Sequence, residues 1–97
     1  MEIFVFGRFH ARSGEEPAVV DAIRDLVEPT SKEPGCSSIY ACRSTRDPRL
    51  FYVHARWKDQ AALDRHSELP HTMRFLERVA PLIDHALDVT RAERIAP

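Results

Sequence analysis

The chain is poor in the residues that most often announce a site. It has no asparagine, three glycines, two cysteines and one tryptophan in 97 residues. Glycine this scarce leaves no glycine-rich phosphate loop, and there is no Gly-x-Ser-x-Gly turn to expose a nucleophilic serine. No apolar run approaches the ~20 residues that a membrane-spanning helix needs. The opening stretch, Met1 to Arg8, carries an acid at position 2 and four apolar residues before Gly7, which does not make a signal peptide. A cytoplasmic protein with no membrane partner is the expectation. Neither charge is in excess. The 14 basic and 15 acidic residues give a net −1, so no polyanion signature appears and nucleic acid is not an expected partner. Cys36 and Cys42 would lie ~20 Å apart on one extended strand, beyond the ~7 Å that a disulfide spans. Reduced thiols are expected. Cys36 follows a helix end, where no dipole lowers its pKa, so it reads as a small apolar filler and not a nucleophile.

The remaining pattern is regular. Ile3 to Phe9 is β-branched and aromatic and reads as a strand. Ile3, Val5, Gly7 and Phe9 share one face, while Phe4, Phe6 and Arg8 share the other. Both faces begin apolar, so the strand is expected at the centre of a sheet or covered on both sides. Ser13 is a candidate cap for a helix opening on Glu15, Glu16 and Pro17, where acids and proline suit the first turn. Ala18, Val19, Ala22, Ile23, Leu26 and Val27 form its apolar stripe. Pro29 should distort the last turns and Pro34-Gly35 end them. Cys36 to Ser44 and Leu50 to Trp57 read as an antiparallel hairpin about the polar turn Thr45–Arg49. Phe51, Val53, Ala55 and Trp57 point one way; Tyr52, His54 and Arg56 point the other. Asp59 caps a helix carrying Ala61, Ala62, Leu63 and His66. Pro70 restarts it, and Met73, Phe75, Leu76 and Val79 continue its apolar face to Pro81. Leu82 to Thr90 is a fourth strand, alternating Ile83, His85, Leu87 and Val89 with Asp84 and Asp88. A polar tail, 91–97, follows.

The order is therefore β-α-β-β-α-β in one domain, 1–97: an α+β, ferredoxin-like plan with helices on one face of an antiparallel sheet. A chain of this size buries roughly 60–70% of its unfolded surface. Its uncovered sheet face asks for a second copy, giving a homodimeric α+β barrel.

The run Lys32-Glu33-Pro34-Gly35-Cys36-x-x-x-Tyr40, the strand end Arg56-Trp57, Ala62-Leu63-x-x-His66 and Pro70-His71-x-x-x-Phe75 resemble the antibiotic biosynthesis monooxygenase family. The resemblance spans nearly the whole chain. It implies a dimeric α+β barrel and oxygenation of a small aromatic quinol or polyphenol by O2 without metal or flavin. One departure stands out: the family commonly has an acid two residues before the tryptophan, and here that position is Ala55. The haem-degrading branch of the fold is less similar. It uses an asparagine on the first strand, and this chain has none; His66 stands where its tryptophan would be, and Leu76 near its histidine.

Such chemistry needs a dry pocket, a base near neutral pKa and donors for the developing anion. Histidine suits the base role. His66 follows Leu63 on the apolar side of its helix, and His71 follows Pro70 at a helix start; these two are the candidates for proton transfer and orientation. Tyr40, Trp57, Met73 and Phe75 are the candidate substrate-binding walls, and Arg8 and Arg56 candidate holders of an anionic oxygen. His85 is a weaker candidate base, His54 points toward the expected dimer interface, and His10 is expected at the surface. His66 and His71 lie five apart with a proline between them, which is not the i, i+4 spacing of a helical metal pair. No third ligand suggests itself, so neither a metal nor another cofactor is expected. The same pocket would also suit isomerisation of a small hydroxyketone, or ligand binding without turnover.

Overall fold

The strand with the cleanest alternation organises the sheet. In β3 (Leu50–Trp57), Phe51, Val53, Ala55 and Trp57 are all buried and Arg56 is exposed. The computed structural model describes all residues from Met1 to Pro97. β3 pairs with β1 (Ile3–His10) in a register running from Ile3 opposite Trp57 to His10 opposite Leu50. Its other neighbour is β2 (Cys36–Arg43). With β4 (Asp88–Ala92) the strand order is β2-β3-β1-β4, all antiparallel, so β1 is central as its composition implied. A bulge between Cys36 and Ser38 shifts the start of β2. This is the ferredoxin-like α+β arrangement. No helix is long and apolar enough to cross a membrane.

The helices are α1 (Glu16–Ser31), α2 (Gln60–Glu68) and α3 (Pro70–Val79), followed by a short 3-10 turn, Ala80–Leu82. Ser13 does not cap α1. Glu15 takes the cap position without a side-chain hydrogen bond, and Gly14, at φ +87°, makes the turn that Ser13 was expected to anchor. Pro29 does not stop α1, because its missing N–H falls in the last turn and Thr30 Oγ1 donates to the Leu26 carbonyl at 2.6 Å. Asp59 caps α2, accepting from the Ala62 N–H at 2.9 Å. Val19, Ala22, Ile23 and Leu26 of α1 pack with Phe9, Phe51, Val53, Phe75, Val79 and Ile83 in the main core. A second cluster gathers Ala55, Trp57, Ala62 and Leu63.

Three expectations along the last third need correction. α2 and α3 are separate helices, not one that restarts. Leu69 ends the first and begins the second in an extended conformation (φ −75°, ψ 148°), since the residue before a proline is driven out of the helical region. The buried face of α3 is Thr72, Phe75 and Val79. Met73 is one position round the helix from that stripe and is 53% exposed, so it belongs to the surface. The fourth strand is shorter and later than its alternation suggests. Ile83 makes an isolated bridge to Ala11, and pairing with β1 begins only at Asp88, taking Arg91 and Ala92 out of the expected tail.

Candidate active site

Between sheet and helices lies a cavity of about 210 Å³. Val5, Gly7 and Phe9 of β1 and Val53, Ala55 and Trp57 of β3 line it from the sheet; Leu63 and His66 of α2 and Phe75 of α3 line it from the helices. Leu87, Val89 and Arg91 complete the wall and are exposed, which marks the open side. Nearly every group inside is apolar; the polar ones are His66, Ser67, Thr72 and Arg91. A roomier but shallow groove of about 790 Å³ runs between α1 and β2. It contains no histidine, and the smaller cavity is where the chemistry-bearing groups converge.

His66 is the cavity's only ionisable base. Its Nδ1 lies 2.7 Å from Glu33 Oε2 and 3.2 Å from Thr72 Oγ1. His71 approaches the same carboxylate oxygen, its Nε2 also at 2.7 Å. A carboxylate only accepts, so both nitrogens that face it carry hydrogen. In the neutral imidazole this puts the hydrogen of His66 on Nδ1 and the lone pair on Nε2, and the ring is one of the groups lining the cavity. The three side chains are 8% (Glu33), 14% (His66) and 19% (His71) exposed, so these charge-assisted bonds are shielded from water. Trp57, 1% exposed, fixes the other side of the His66 ring at a centroid distance of 4.7 Å.

Local chain chemistry explains the convergence. The break at Leu69 turns α3 against α2, so His66 in the last turn of one and His71 in the first turn of the other reach one point. On a continuous helix, residues five apart would diverge. Glu33 comes from the loop between α1 and β2. There Gly35 has φ +89°, and a Cβ on it would lie 2.6 Å from the Ala62 Cβ. Only glycine lets this loop press against α2. The loop is then tied by Cys36 N–H to the Glu33 carbonyl at 3.1 Å and Lys58 N–H to the Gly35 carbonyl at 2.9 Å. Glu33 belongs to the run that carries the family resemblance, but nothing in its spacing from the histidines, 33 and 38 residues away, assigns it a role. It also supplies the third metal-type donor that the sequence did not suggest. Position 55 offers no acid, yet a carboxylate reaches the histidines from this loop.

The other candidates are dispersed. Trp57 and Phe75 line the cavity with His66; His71 stands behind Glu33 and does not. Tyr40 is 53% exposed on the opposite sheet face, its hydroxyl 3.3 Å from His54 Nδ1, because the bulge after Cys36 sets Ile39 inward and Tyr40 outward. Met73 is outside the cavity for the reason given above. Arg8 and Arg56 are on the outer face, Arg56 paired with Glu2. Arg91, expected in the tail, is the arginine at the cavity, bonded to Asp64 at 3.0 Å. His85 lies before β4 and accepts from the His10 N–H at 2.8 Å. Cys36 is partly buried, and burial together with the Glu33 charge pushes its thiol above the ordinary value, against a nucleophilic role.

The fold and this cavity define a small ferredoxin-like protein with a histidine-bearing cavity beneath its helices. The family model described as antibiotic biosynthesis monooxygenase matches residues 2–78, and the chain belongs to that family. It is 27% identical over 88 residues to the Mycobacterium tuberculosis protein Rv0793, provisionally named a monooxygenase, covering 91% of this chain and 86% of that one. YcnE of Bacillus subtilis, named in the same provisional way, is 29% identical over 70 residues, covering 72% and 74%. An uncharacterised Synechocystis protein is 26% identical over 81 residues, 84% of this chain and 55% of its own length. The solved structure of Rv0793 superposes with a TM-score of 0.94 over 100% of this chain and 98% of that one, at 24% identity, which speaks to the fold. A Pseudomonas aeruginosa structure matches with a TM-score of 0.89 at 28% identity, covering 98% and 95%.

Proposed function

We propose that this protein oxygenates a small electron-rich aromatic, a quinol or related polyphenol, using O2 and no resident cofactor, with His66 as the base. The observation that carries the reading is a mostly buried histidine on the wall of a largely apolar cavity, its Nδ1 2.7 Å from the Glu33 carboxylate. His66 takes the phenolic or benzylic proton onto Nε2. The resulting imidazolium shares its Nδ1 hydrogen with Glu33, so the charge that develops is stabilised in place. The aromatic anion passes one electron to O2, the two radicals combine in a carbon–oxygen bond, and the hydroperoxide breaks down. One oxygen atom ends in the product carbonyl and the other leaves as water. Trp57 and Phe75 hold the aromatic plane, and the apolar walls exclude water from the anion. His71 holds Glu33 in register.

The test is oxygen consumption by purified, chelator-treated protein against hydroquinones, naphthohydroquinones and anthrones, with spontaneous oxidation subtracted. Saturable, protein-dependent uptake is expected, and His66→Ala should lower it at least about tenfold while the protein stays folded. A folded His66→Ala protein with undiminished uptake excludes the base role. No uptake by wild type on any of these compounds counts against oxygenation.

The reading includes a second copy of the chain. Phe4, Phe6, Tyr40, Tyr52 and His54 share the sheet face that no helix covers, with Phe6 42% and Tyr40 53% exposed. A neighbouring sheet laid on this aromatic face is the economical cover.

A further inference from the structure

We infer that Glu33, His66 and His71 form a binding site for one divalent transition-metal ion, and that this ion and the base function of His66 exclude each other. Glu33 Oε2, His66 Nδ1 and His71 Nε2 lie within 4.8 Å of one another. They come from three separate elements, each fixed by its own backbone device: the Gly35 loop, the end of α2 and the proline start of α3. Two imidazole nitrogens and one carboxylate oxygen form a borderline donor set, suited to Zn²⁺, Co²⁺ or Fe²⁺, whereas Ca²⁺ and Mg²⁺ seek oxygen alone. Three protein donors also leave room for water or another ligand.

The metal-free geometry is the hydrogen-bonded form of the same site. Bonds of ~2.0–2.2 Å to a tetrahedral ion set donors ~3.3 Å apart, against the 2.7 Å from the carboxylate oxygen to each nitrogen. Seating the ion opens that gap by ~0.6 Å and draws the two imidazole nitrogens, up to 4.8 Å apart, toward the same ~3.3 Å, through side-chain rotation of Glu33, His66 and His71. The ion takes the Nδ1 lone pair of His66, so the ring hydrogen must leave Nδ1 and reside on Nε2; likewise the hydrogen of His71 moves from Nε2 to Nδ1. The His66 nitrogen available to the cavity then donates where it formerly accepted, and no lone pair remains there for a substrate proton.

The experiment titrates Zn²⁺ into chelator-stripped, dialysed protein by calorimetry and follows histidine tautomers by long-range ¹H–¹⁵N correlation. Binding at one ion per chain is expected, with His66 passing from its Nδ1–H to its Nε2–H form. Glu33→Gln and His71→Gln should each weaken binding at least about tenfold, while His10→Ala, outside the trio, leaves it intact. Absence of saturable binding, unchanged affinity in the folded variants, or a His66 that keeps its Nδ1 hydrogen in the loaded protein overturns the inference. Should Glu33→Gln not fold, His71→Gln decides. Neither readout uses a substrate. A negative result here leaves the oxygenase reading standing, and failure of oxygen uptake leaves this site standing.

Discussion

Gly35 and Glu33 stand two residues apart, and the backbone of one sets the reach of the other. Replacing Gly35 by alanine puts a methyl into a left-handed conformation and against the Ala62 Cβ at 2.6 Å. A cost of about 1–3 kcal/mol is expected, read as a lower thermal midpoint. Because the loop must back away from α2, oxygen uptake should fall further than the loss of stability alone accounts for. A variant with wild-type uptake and midpoint would mean that the loop does not place Glu33. The histidines themselves stood out in the sequence as candidates, since one follows Leu63 on an apolar helical face and the other follows Pro70 at a helix start. Glu33 was not. Acids before Pro-Gly turns are ordinary, and only the folded chain brings this one to the histidines. Met73 and Tyr40 erred in the opposite direction: each is apolar enough to suggest a wall, but one helical step or one bulge places it outside.

Among the elements, the strands with strict alternation, β1 and β3, were readable nearly to the residue. β4 was not, because Ile83, His85 and Leu87 mimic alternation while serving a different purpose. They run through a connection held by His10, whose two ring nitrogens meet Asp84 at 2.7 Å and Asp47 at 2.9 Å. Arg49 also reaches Asp84, at 3.2 Å, and His85 Nε2 accepts from the His10 backbone. The end of β1 is thus fastened both to the hairpin turn and to the approach of β4. The Asp84 and Asp47 bonds raise His10 above its ordinary pKa of 6.5. The partner bonds, chiefly from His10 to Asp84 and from the Arg49 N–H to Asp47, lower both acids below 3.8. The signs follow. The His10 contribution is fully present below 6.5 and fades as pH rises through its raised value; the acids contribute above 3.8 and fade as pH falls through their lowered values. Stability from this fastening should therefore be greatest between those two ordinary values. Thermal midpoints measured across the upper boundary should fall with rising pH in wild type and fall less in His10→Gln. Parallel curves for the two proteins would remove His10 as the cause.

For the molecule as a whole, the proposed assembly rests on a face and not on a single contact. Phe6 lies centrally on the exposed aromatic side of the sheet, between His54 on β3 and Thr90 on β4. Phe6→Arg should convert a dimer into a folded monomer, seen as a halved mass by light scattering at unchanged circular dichroism. An unchanged mass would point to another interface. The plan of helices over an antiparallel sheet was legible because apolar periodicity reports burial directly. The proposed partner rests only on a deficit, an apolar face with nothing yet upon it. The margins of the same sheet carry a separate lesson. β2 opens on an irregular register and runs out through exposed Ser37, Ser38, Cys42 and Arg43, while β4 is five residues long and bears Asp88 and Arg91. The irregular opening of β2 and the brevity and charges of β4 shorten the row of amides that either border offers to a stranger. A sheet whose open face is aromatic while its rims are interrupted favours stacking over strand-by-strand growth, and its concentrated solutions should stay clear where a straighter-edged sheet would thicken.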